Sequence, residues 1–244
     1  MPRFFVSPEQ ISGSSAVLEG EHAAHAKVLR LARGDRVTLC DGQGTDAQCV
    51  VSECTPGRLV LTISSREPSH SEPQLACSIY MGFPKADKFE HVVQKATELG
   101  AHEIVVFPCA RSVSRPDARS LEKKLDRWQK IAVSAAEQSG RGRIPAVLAL
   151  GSFEQAVQRA CLADLPVLFY ENEHTCSLRA AAEAHPFSSA AIMTGPEGGL
   201  TEQEVQISRD AGMQVCSLGP RILRCETAPL CALSALLYAA DELA

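Results

Sequence analysis

Two glycine-bearing turns, separated by one predicted helix, constrain the fold of this 244-residue chain more than any other feature of its sequence. The first turn spans residues 194–200 and follows an apolar run at 190–193 that has the length of a buried strand. The second spans residues 218–228 and follows a second predicted strand at 215–218. Since glycine lacks a Cβ and reaches positive φ, both turns can present backbone groups directly to a ligand. Two such turns at the carboxyl ends of strands predict a ligand crevice in an open α/β sheet.

The predicted helix between the two turns begins and ends at clear signals. Thr201, followed three residues later by Glu204, forms a capping box, and Gly212 lies where a glycine ends a helix. Neither turn carries the G-x-G-x-x-G spacing of a dinucleotide site or the Gly-Lys-Ser/Thr of a phosphate loop. The pattern therefore argues against nicotinamide cofactors and nucleoside triphosphates as the ligand.

Charged residues distinguish the second turn from an ordinary loop. A single Gly-Pro-x-Gly-Gly segment is as often a plain strand-to-helix turn as a ligand site. Arg221, Arg224 and Glu226, however, lie between an apolar strand and an apolar helix. Charge in such a place is costly unless it is paired or used on a ligand. The second turn therefore favours a binding site.

Composition limits the class of protein. Hydrophobic residues make up 45% of the chain, enough for one large domain or for a small one plus a medium one. No run of about eighteen apolar residues is present, so we expect no membrane span. The N-terminus lacks the pattern of a secretory signal, so we expect a cytoplasmic location. The ten cysteines include no C-x-x-C pair and the seven histidines are scattered, so we expect no metal.

Three stretches of different pattern predict the domain organisation. Residues 1–65 show short alternating strands with turn signals between them, which predict a compact β-barrel. Residues 66–73 are polar and break both periodicities, so they are predicted to be a linker. From residue 74 to 244, strands alternate with helices, which is typical of a parallel sheet covered on both faces and hence of an α/β fold.

Positive charge is concentrated in one part of the chain. The net charge is −5, yet residues 111–143 contain nine Lys or Arg against four Asp or Glu. Such a local excess is what a phosphate-contacting face requires. The alternative is an ordinary solvated helix face.

Taken together, these segments resemble the SPOUT methyltransferases, specifically the bacterial family that methylates N3 of a uridine in 16S ribosomal RNA. The resemblance rests on the two glycine turns and on four further pieces that follow in order along nearly the whole chain. These are Arg3-Phe4-Phe5, residues 28–31 before Gly34-Asp35, residues 95–100 (KATELG), and residues 137–139 (EQS) with Arg141. Similar proteins usually have Thr where this chain has Cys225.

The resemblance implies a fold, a reaction and partners. It implies a PUA-like, RNA-binding β-barrel at 1–65, a linker at 66–73 and a SPOUT domain at 74–244, trefoil-knotted with a mostly parallel sheet. It further implies S-adenosylmethionine as cofactor, 16S rRNA or the small ribosomal subunit as partner, and a homodimer. Two alternatives are a SPOUT enzyme that methylates a ribose 2′-hydroxyl or another base, and a non-catalytic RNA-binding assembly factor.

The resemblance also implies which residues hold the cofactor, mainly through backbone atoms of the two turns and of one neighbouring strand. They are Leu168, Phe169, Thr194, Gly195, Pro196, Glu197, Gly198, Gly199, Leu218, Gly219, Ile222, Leu223, Arg224, Cys225, Thr227 and Ala228. Basic residues along the chain are predicted to contact RNA. They are Arg3, Arg30, Arg33, Lys85, Lys88, Lys95, Arg111, Arg115, Arg127, Arg141 and Arg143.

Methylation of uridine N3 requires that its proton be removed or the resulting anion stabilised. We expect Arg224 to stabilise the developing anion and Glu226, or else Glu197, to act as general base. The alternative for Glu226 is an internal ion pair with Arg221 or Arg224. A flipped uridine could stack on an aromatic ring, for which the candidates are Phe5, Phe83 and Tyr170.

Overall fold

The computed structural model describes residues 1–113 and 116–243. The chain forms two compact units, and neither is a single continuous stretch. The first unit contains Met1–Glu72 and Val133–Ile144, and the second contains Pro73–Ala132 and Pro145–Ala244. Within the described residues, no helix is long and apolar enough to cross a lipid bilayer.

The first unit is built around a five-stranded sheet. Its elements are β1 (Arg3–Phe5), a 3-10 helix (Pro8–Ile11), β2 (Ser15–Glu19), α1 (Gly20–Val28), β3 (Arg36–Cys40), β4 (Thr45–Thr55) and β5 (Arg58–Pro68). The strand order is β1-β3-β4-β5-β2, in which β1 runs parallel to β3 and the other neighbours are antiparallel. Alternate residues of these strands point inward, and Phe4, Leu18, Leu39 and Leu61 are fully buried.

Strand pairing extends into the segment predicted to be a linker. β5 continues to Pro68, and Arg66, Glu67 and Pro68 lie opposite residues of β4. No strand is predicted here because the residues at this end of β5 are exposed, so no apolar face marks the strand period. The linker prediction of 66–73 therefore begins inside a strand.

Residues 133–144 complete the first unit, although the sequence pattern assigned them to the second domain. Ala136 packs with Phe5 and Cys40 in one buried cluster. Glu72 accepts hydrogen bonds from Arg141 Nη2 at 2.6 Å and from the Gly142 N–H at 2.8 Å. Apolar packing and a buried ion pair thus join the two chain segments of this unit.

The second unit alternates strands and helices. Its elements are β6 (Ala76–Gly82), α2 (Lys88–Leu99), β7 (Glu103–Phe107), α3 (Ala118–Ser139, to Ala132 in this unit), β8 (Ala146–Ala149), α4 (Phe153–Ala160), β9 (Leu165–Phe169), α5 (Leu178–Ala184), β10 (Ser189–Thr194), α6 (Glu202–Asp210), β11 (Gln214–Cys216) and α7 (Ala228–Ala239). The strand order is β11-β9-β10-β6-β7-β8, and every pair is parallel.

The strand order places the functional loops together. β10 pairs with β6 on one side and with β9 on the other, and β11 pairs with β9. Because these strands are parallel, their carboxyl ends share one edge of the sheet. The loops that leave β9, β10 and β11 therefore emerge beside one another, as is usual for ligand sites in open α/β sheets.

Candidate cofactor and active site

A cavity of about 390 Å³ lies at the carboxyl ends of β9, β10 and β11. Gly195 and Leu223 both line it, so the two glycine turns meet in space as the sequence predicted. Its walls come from the start of α2, the end of β9, and the loops after β10 and β11. The lining residues are Lys88, Phe169, Tyr170, Glu171, Thr194, Gly195, Pro196, Glu197, Gly198, Gly199, Leu200, Ser217, Leu218, Gly219, Arg221, Ile222, Leu223, Arg224, Cys225 and Ala228.

The first glycine turn requires residues without side chains. Gly199 has a φ of +67°, and a Cβ there would lie 2.5 Å from Glu171 Oε1. The turn also packs against β6, because Pro196 lies so close to Gly82 that a Cβ on Gly82 would be 2.7 Å from Pro196 Cδ. Glycine is therefore needed both in the turn and beneath it.

Arg111 holds the same turn from outside. Its Nη1 donates hydrogen bonds to the carbonyl oxygens of Gly198 and Leu200, each at 3.1 Å. The sequence predicted that Arg111 contacts RNA, but this nitrogen is engaged with the loop. Arg111 is thus a support of the glycine turn.

The capping box fixes the helix that follows. Thr201 Oγ1 accepts from the Glu204 N–H at 3.2 Å, and Glu204 Oε2 accepts from the Thr201 N–H at 2.8 Å. The other oxygen of the Glu204 carboxylate accepts from the Ala110 N–H at 2.7 Å. This buried carboxylate ties the start of α6 to the segment that carries Arg111.

Thr194, at the end of β10, has a buried hydroxyl without a partner. Its residue is 3% exposed and lines the cavity. Within the described residues, Thr194 Oγ1 is the one buried side-chain nitrogen or oxygen that lacks a hydrogen-bond partner. Such an atom costs free energy unless it is satisfied by something that occupies the cavity.

The second turn brings two arginines to the cavity. Gly219 has a φ of +97°, and the exposed residues Arg221 and Arg224 follow it. The backbone carbonyl of Arg224 accepts from the N–H groups of Thr227 and Ala228, which begin α7. Within the described chain, neither guanidinium has an ion pair or hydrogen bond, so both are available to a ligand.

Lys88, Glu197, Glu226 and Cys225 form a charged cluster beside the cavity. Lys88 Nζ lies 3.1 Å from Glu197 Oε1 and 3.2 Å from Glu226 Oε2, and the Cys225 thiol donates to Glu226 Oε2 at 3.2 Å. Glu226 therefore pairs with Lys88, and among the described residues it has no ion pair with Arg221 or Arg224. The thiol of Cys225 thus acts as a hydrogen-bond donor within the cluster.

Charges in this cluster shift the pKa values of its members. Desolvation alone would raise the pKa of Glu197 and of Glu226, but hydrogen bonds from backbone N–H groups and the Lys88 ammonium lower both. The hydrogen bond with Glu197 raises the pKa of Lys88. Burial raises the pKa of Cys225 to about 12, so it stays a thiol. At neutral pH the cluster holds one ammonium and two carboxylates.

All but two of the predicted cofactor residues line the cavity. Leu168 is fully buried within the sheet, and Thr227 lies at the start of α7 outside the lining. The sequence missed Tyr170, Glu171, Leu200, Ser217 and Arg221 as lining residues and placed Lys88 in the RNA-binding set. These five are each one or two positions from a predicted cofactor residue, which is the signal that could have found them.

Two of the three aromatic stacking candidates are core residues. Phe5 is buried in the first unit, and Phe83 is buried in the second. Tyr170 lines the cavity. Tyr170 is therefore the candidate that remains for stacking on a base.

The predicted RNA contacts fall into different groups. Arg3 is bound to Asp46 by two hydrogen bonds, at 2.5 and 2.7 Å, and Arg141 is 4% exposed and bound to Glu72. In both cases the guanidinium is bound to a carboxylate inside the first unit, which makes it less available to RNA. Lys95 and Arg127 form ion pairs with Glu98 and Glu90. Four of the predicted residues are exposed and have no ion pair in the described chain: Arg30, Arg33, Lys85 and Arg143. Arg115 lies outside the described residues.

Comparisons with known proteins agree with this geometry. Residues 70–237 match a family model described as an RNA methyltransferase domain, and residues 18–64 match an RNA methyltransferase PUA domain. The chain is 38% identical to the ribosomal RNA small subunit methyltransferase E of Bacillus subtilis, over 100% of this chain and 98% of that protein. It is 34% identical to the Mycobacterium bovis protein of the same name, over 96% and 90% of the two chains.

Solved structures resemble it over the same length. The ribosomal RNA small subunit methyltransferase E of Neisseria gonorrhoeae, bound to S-adenosyl methionine, has a TM-score of 0.86 and 32% identity, with 98% of both chains covered. A putative methyltransferase of Legionella pneumophila, in complex with the same cofactor, has a TM-score of 0.86 and 28% identity, with 97% of both chains covered.

The fold and the site define the class of protein, which is a SPOUT-type α/β domain with a PUA-like unit at its N-terminus. The predicted fold class is therefore confirmed. Because one family model covers more than half of the chain, the chain belongs to the RNA methyltransferase family. In the described residues, no group of three or more His, Cys, Asp or Glu is arranged to hold a metal ion.

Proposed function

We propose that this protein transfers a methyl group from S-adenosylmethionine to N3 of a uridine in the 16S rRNA of the small ribosomal subunit. The observation that carries the proposal is the cavity between the two glycine turns, with a buried unpaired hydroxyl inside it and an unpaired arginine at its edge. Membership in the RNA methyltransferase family and the cofactor bound by two relatives support it.

The residues of the cavity fit this cofactor. Its volume lies in the range of small-molecule sites, and the orphaned Thr194 hydroxyl offers a hydrogen bond to whatever fills it. Backbone of the two turns and the apolar side chains of Phe169, Leu218 and Leu223 surround the space, which suits an adenine ring. When bound, S-adenosylmethionine supplies an activated methyl group on a positively charged sulfur.

The chain supplies position, charge and a proton acceptor. We propose that the Arg224 guanidinium stabilises the negative charge that develops on the uracil as N3 loses its proton, a role worth about 3–4 kcal/mol for comparable donors. A carboxylate of the Lys88 cluster receives that proton. Holding two reactants in place contributes about 7–11 kcal/mol, so no covalent adduct with a cysteine is needed.

Reverse transcription of 16S RNA tests the substrate. N3 methylation blocks the Watson–Crick edge, so reverse transcriptase is expected to stop at one uridine in wild-type cells and to read through in cells that lack the protein. The same mutant supplied with a functional gene serves as the control, and in it the stop is expected to return. An unchanged stop pattern, with loss of a 2′-O-methyl or another base methyl instead, would contradict N3 as the acceptor.

Calorimetry with S-adenosylmethionine tests the cofactor separately. We expect binding by the purified protein in the absence of RNA. Tight RNA binding without cofactor affinity would instead support a non-catalytic assembly factor.

We propose that RNA binds through the exposed, unpaired basic residues, and that Lys95 and Arg127 assist by exchanging their carboxylate partners for phosphate. The unpaired residues are Arg30, Arg33, Lys85 and Arg143. Substituting any one of them with Ala is expected to weaken binding to all RNA sequences alike. The slope of log affinity against log salt concentration should fall in magnitude by about one, because one phosphate contact is lost.

We also propose that the protein acts as a homodimer in the cytoplasm, where small ribosomal subunits are. The exposed aromatic ring of Tyr238 on the apolar helix α7 supports an apolar interface. Sedimentation at several concentrations tests this, and a monomer at all concentrations would refute the dimer.

A further inference from the structure

Lys88 lies at the junction of two cavities. It lines the cofactor cavity, and it also lines a second cavity of about 520 Å³. The second cavity is bounded by one face of α2, by one residue of α3 and by the second glycine turn. Its lining residues are Asp87, Lys88, Glu90, His91, Gln94, Ile131 and Glu226. The two carboxylates that Lys88 bridges belong to different cavities, Glu197 to the first and Glu226 to the second.

The two carboxylates differ in how fully their oxygens are engaged. Glu197 accepts the Lys85 N–H at both oxygens, at 3.0 and 3.3 Å, in addition to the Lys88 ammonium. Glu226 receives Lys88 and the Cys225 thiol, and both contacts are made to Oε2. In the described part of the chain, Glu226 Oε1 has no donor from another residue.

We infer that Lys88 is a positioning residue that holds Glu226 as a carboxylate, with one oxygen unengaged, at the junction of the two cavities. Glu226, and not Glu197, then takes the proton of the acceptor nitrogen. The inference rests on the proposed function. The acceptor base enters through the second cavity, its N3–H bond breaks, and the proton bonds to Glu226. The electron pair that stays on N3 then forms the bond to the methyl carbon while the bond from that carbon to the cofactor's sulfur breaks, its electron pair leaving with the sulfur as a neutral thioether. Glu226 later returns the proton to water.

The charges around the cluster show why Lys88 is needed. Without its ammonium, Glu197 and Glu226 would be like charges close together, and one of them would take up a proton at a higher pH. Further acidic groups line the two cavities beside the cluster, from the start of α2 and from the residues after β9, and the exposed cations of the second turn line the cofactor cavity. The acidic groups are Asp87, Glu90 and Glu171, His91 lies beside them, and the cations are Arg221 and Arg224. Lys88 and the Lys85 and Cys225 donors thus set the charge of both carboxylates.

The first test reads the carboxylates without cofactor or RNA. Residue-specific NMR titration of glutamate side-chain carboxyls in the cofactor-free protein is expected to show that the pKa of Glu226 rises in Lys88→Met, because the neighbouring cation is lost. Lys88→Arg is expected to restore it, because the cation returns. Arg159→Met is the matched control, since it removes the cation from an ion pair with Glu103 elsewhere on the same sheet. An unchanged Glu226 titration in Lys88→Met would overturn the inference even if the protein methylates RNA.

The second test separates the two carboxylates in single-turnover methylation. Glu226→Gln is expected to lower the rate at least 100-fold while cofactor affinity stays within about twofold, and Glu197→Gln is expected to lower the rate much less. In Lys88→Met the acidic limb of the pH–rate profile should move to higher pH, and Lys88→Arg should return it. Full turnover by Glu226→Gln would overturn the inference. A wild-type protein that binds the cofactor and methylates no RNA would instead refute the proposed function, and the NMR titration would still report on Lys88.

Discussion

Thr194 shows at the scale of one residue how a binding site differs from a packed core. The end of a buried strand ordinarily carries an apolar side chain, as Ile192 and Met193 do just before it. A hydroxyl that is buried but unpaired lowers the stability of the empty protein and is retained where a ligand uses it. The cavity next to Thr194 supplies the place for such a ligand.

Replacing Thr194 with Val is expected to separate binding from stability. Removal of an unpaired hydroxyl should leave the free energy of unfolding unchanged or raise it by about 1 kcal/mol, while S-adenosylmethionine binds about 3- to 10-fold more weakly. Chemical denaturation and calorimetry measure the two effects. Thr97→Val is the control, because Thr97 Oγ1 donates to the Val93 carbonyl at 2.7 Å away from the cavity. That variant should lose stability and keep its affinity, and equal affinity loss in both would contradict the role of Thr194.

Glu173 gives a pH-dependent prediction. Hydrogen bonds from Thr175, together with Arg209, lower the pKa of this carboxyl from 4.5 to about 2. A carboxyl with a depressed pKa stabilises the fold above its unfolded pKa, and the contribution is lost as the pH falls through the interval between the two values. The urea midpoint of Glu173→Gln should therefore be lower than that of the wild type at pH 7, and the gap should shrink below about pH 4.5. A gap that is constant with pH would contradict the ion-pair origin.

At the scale of elements, the sequence predicted those features of the site that are marked by residues close together in the chain. The capping box at Thr201 and Glu204 is present as expected, and the two glycine turns meet at one cavity. The role of Lys88 in the cluster has no local signal, because its partners Glu197 and Glu226 are distant in sequence and are brought to it only by the strand order. Support of the first turn by Arg111 was missed for the same reason.

The first glycine turn depends on Gly82, the last residue of β6, because Pro196 of the turn packs directly against it. A methyl group there would lie 2.6 Å from Cys109 Sγ and 2.9 Å from the Pro196 nitrogen. Gly82→Ala is therefore expected to lower the free energy of unfolding by about 1–3 kcal/mol and to weaken cofactor binding as the turn shifts. Gly151→Ala is the control, since its Cβ would meet only the flexible end of Gln155. Wild-type cofactor affinity in Gly82→Ala, measured by calorimetry, would show that the turn does not need this contact.

At the scale of the whole molecule, the sequence could predict the pattern of each unit but not which segments form it. Residues 133–139 continue helix α3, and its apolar stripe runs on unchanged past Ala132, so nothing in the helical period marks a change of unit. The contacts that join these residues to the first unit are long-range in sequence. They are the packing of Ala136 against Phe5 and the ion pair between Glu72 and Arg141.

The Glu72–Arg141 pair gives the whole-molecule prediction. Arg141 is buried, so Glu72→Ala removes a buried ion pair inside the first unit and is expected to lower the free energy of unfolding by about 3–5 kcal/mol. Urea denaturation measures it. Glu19→Ala is the control, because the Glu19–Arg58 pair on the same unit is largely exposed and should contribute less than about 1 kcal/mol. Equal losses in the two variants would mean that burial of Arg141 is not what makes Glu72 important.

The first unit is built from two separate chain segments, and this determines the order in which the chain can fold during synthesis. Residues 1–72 leave the ribosome first, but this unit is complete only after Ile144 has emerged. By then β6 and β7 are already outside, while β10, the other neighbour of β6, has still to be translated. In the nascent chain, the edge of β6 that will pair with β10 therefore stays unpaired while about fifty further residues are translated. At ordinary elongation rates this takes several seconds. We expect this protein to depend on chaperones at that stage more than a protein of equal size built from consecutive domains.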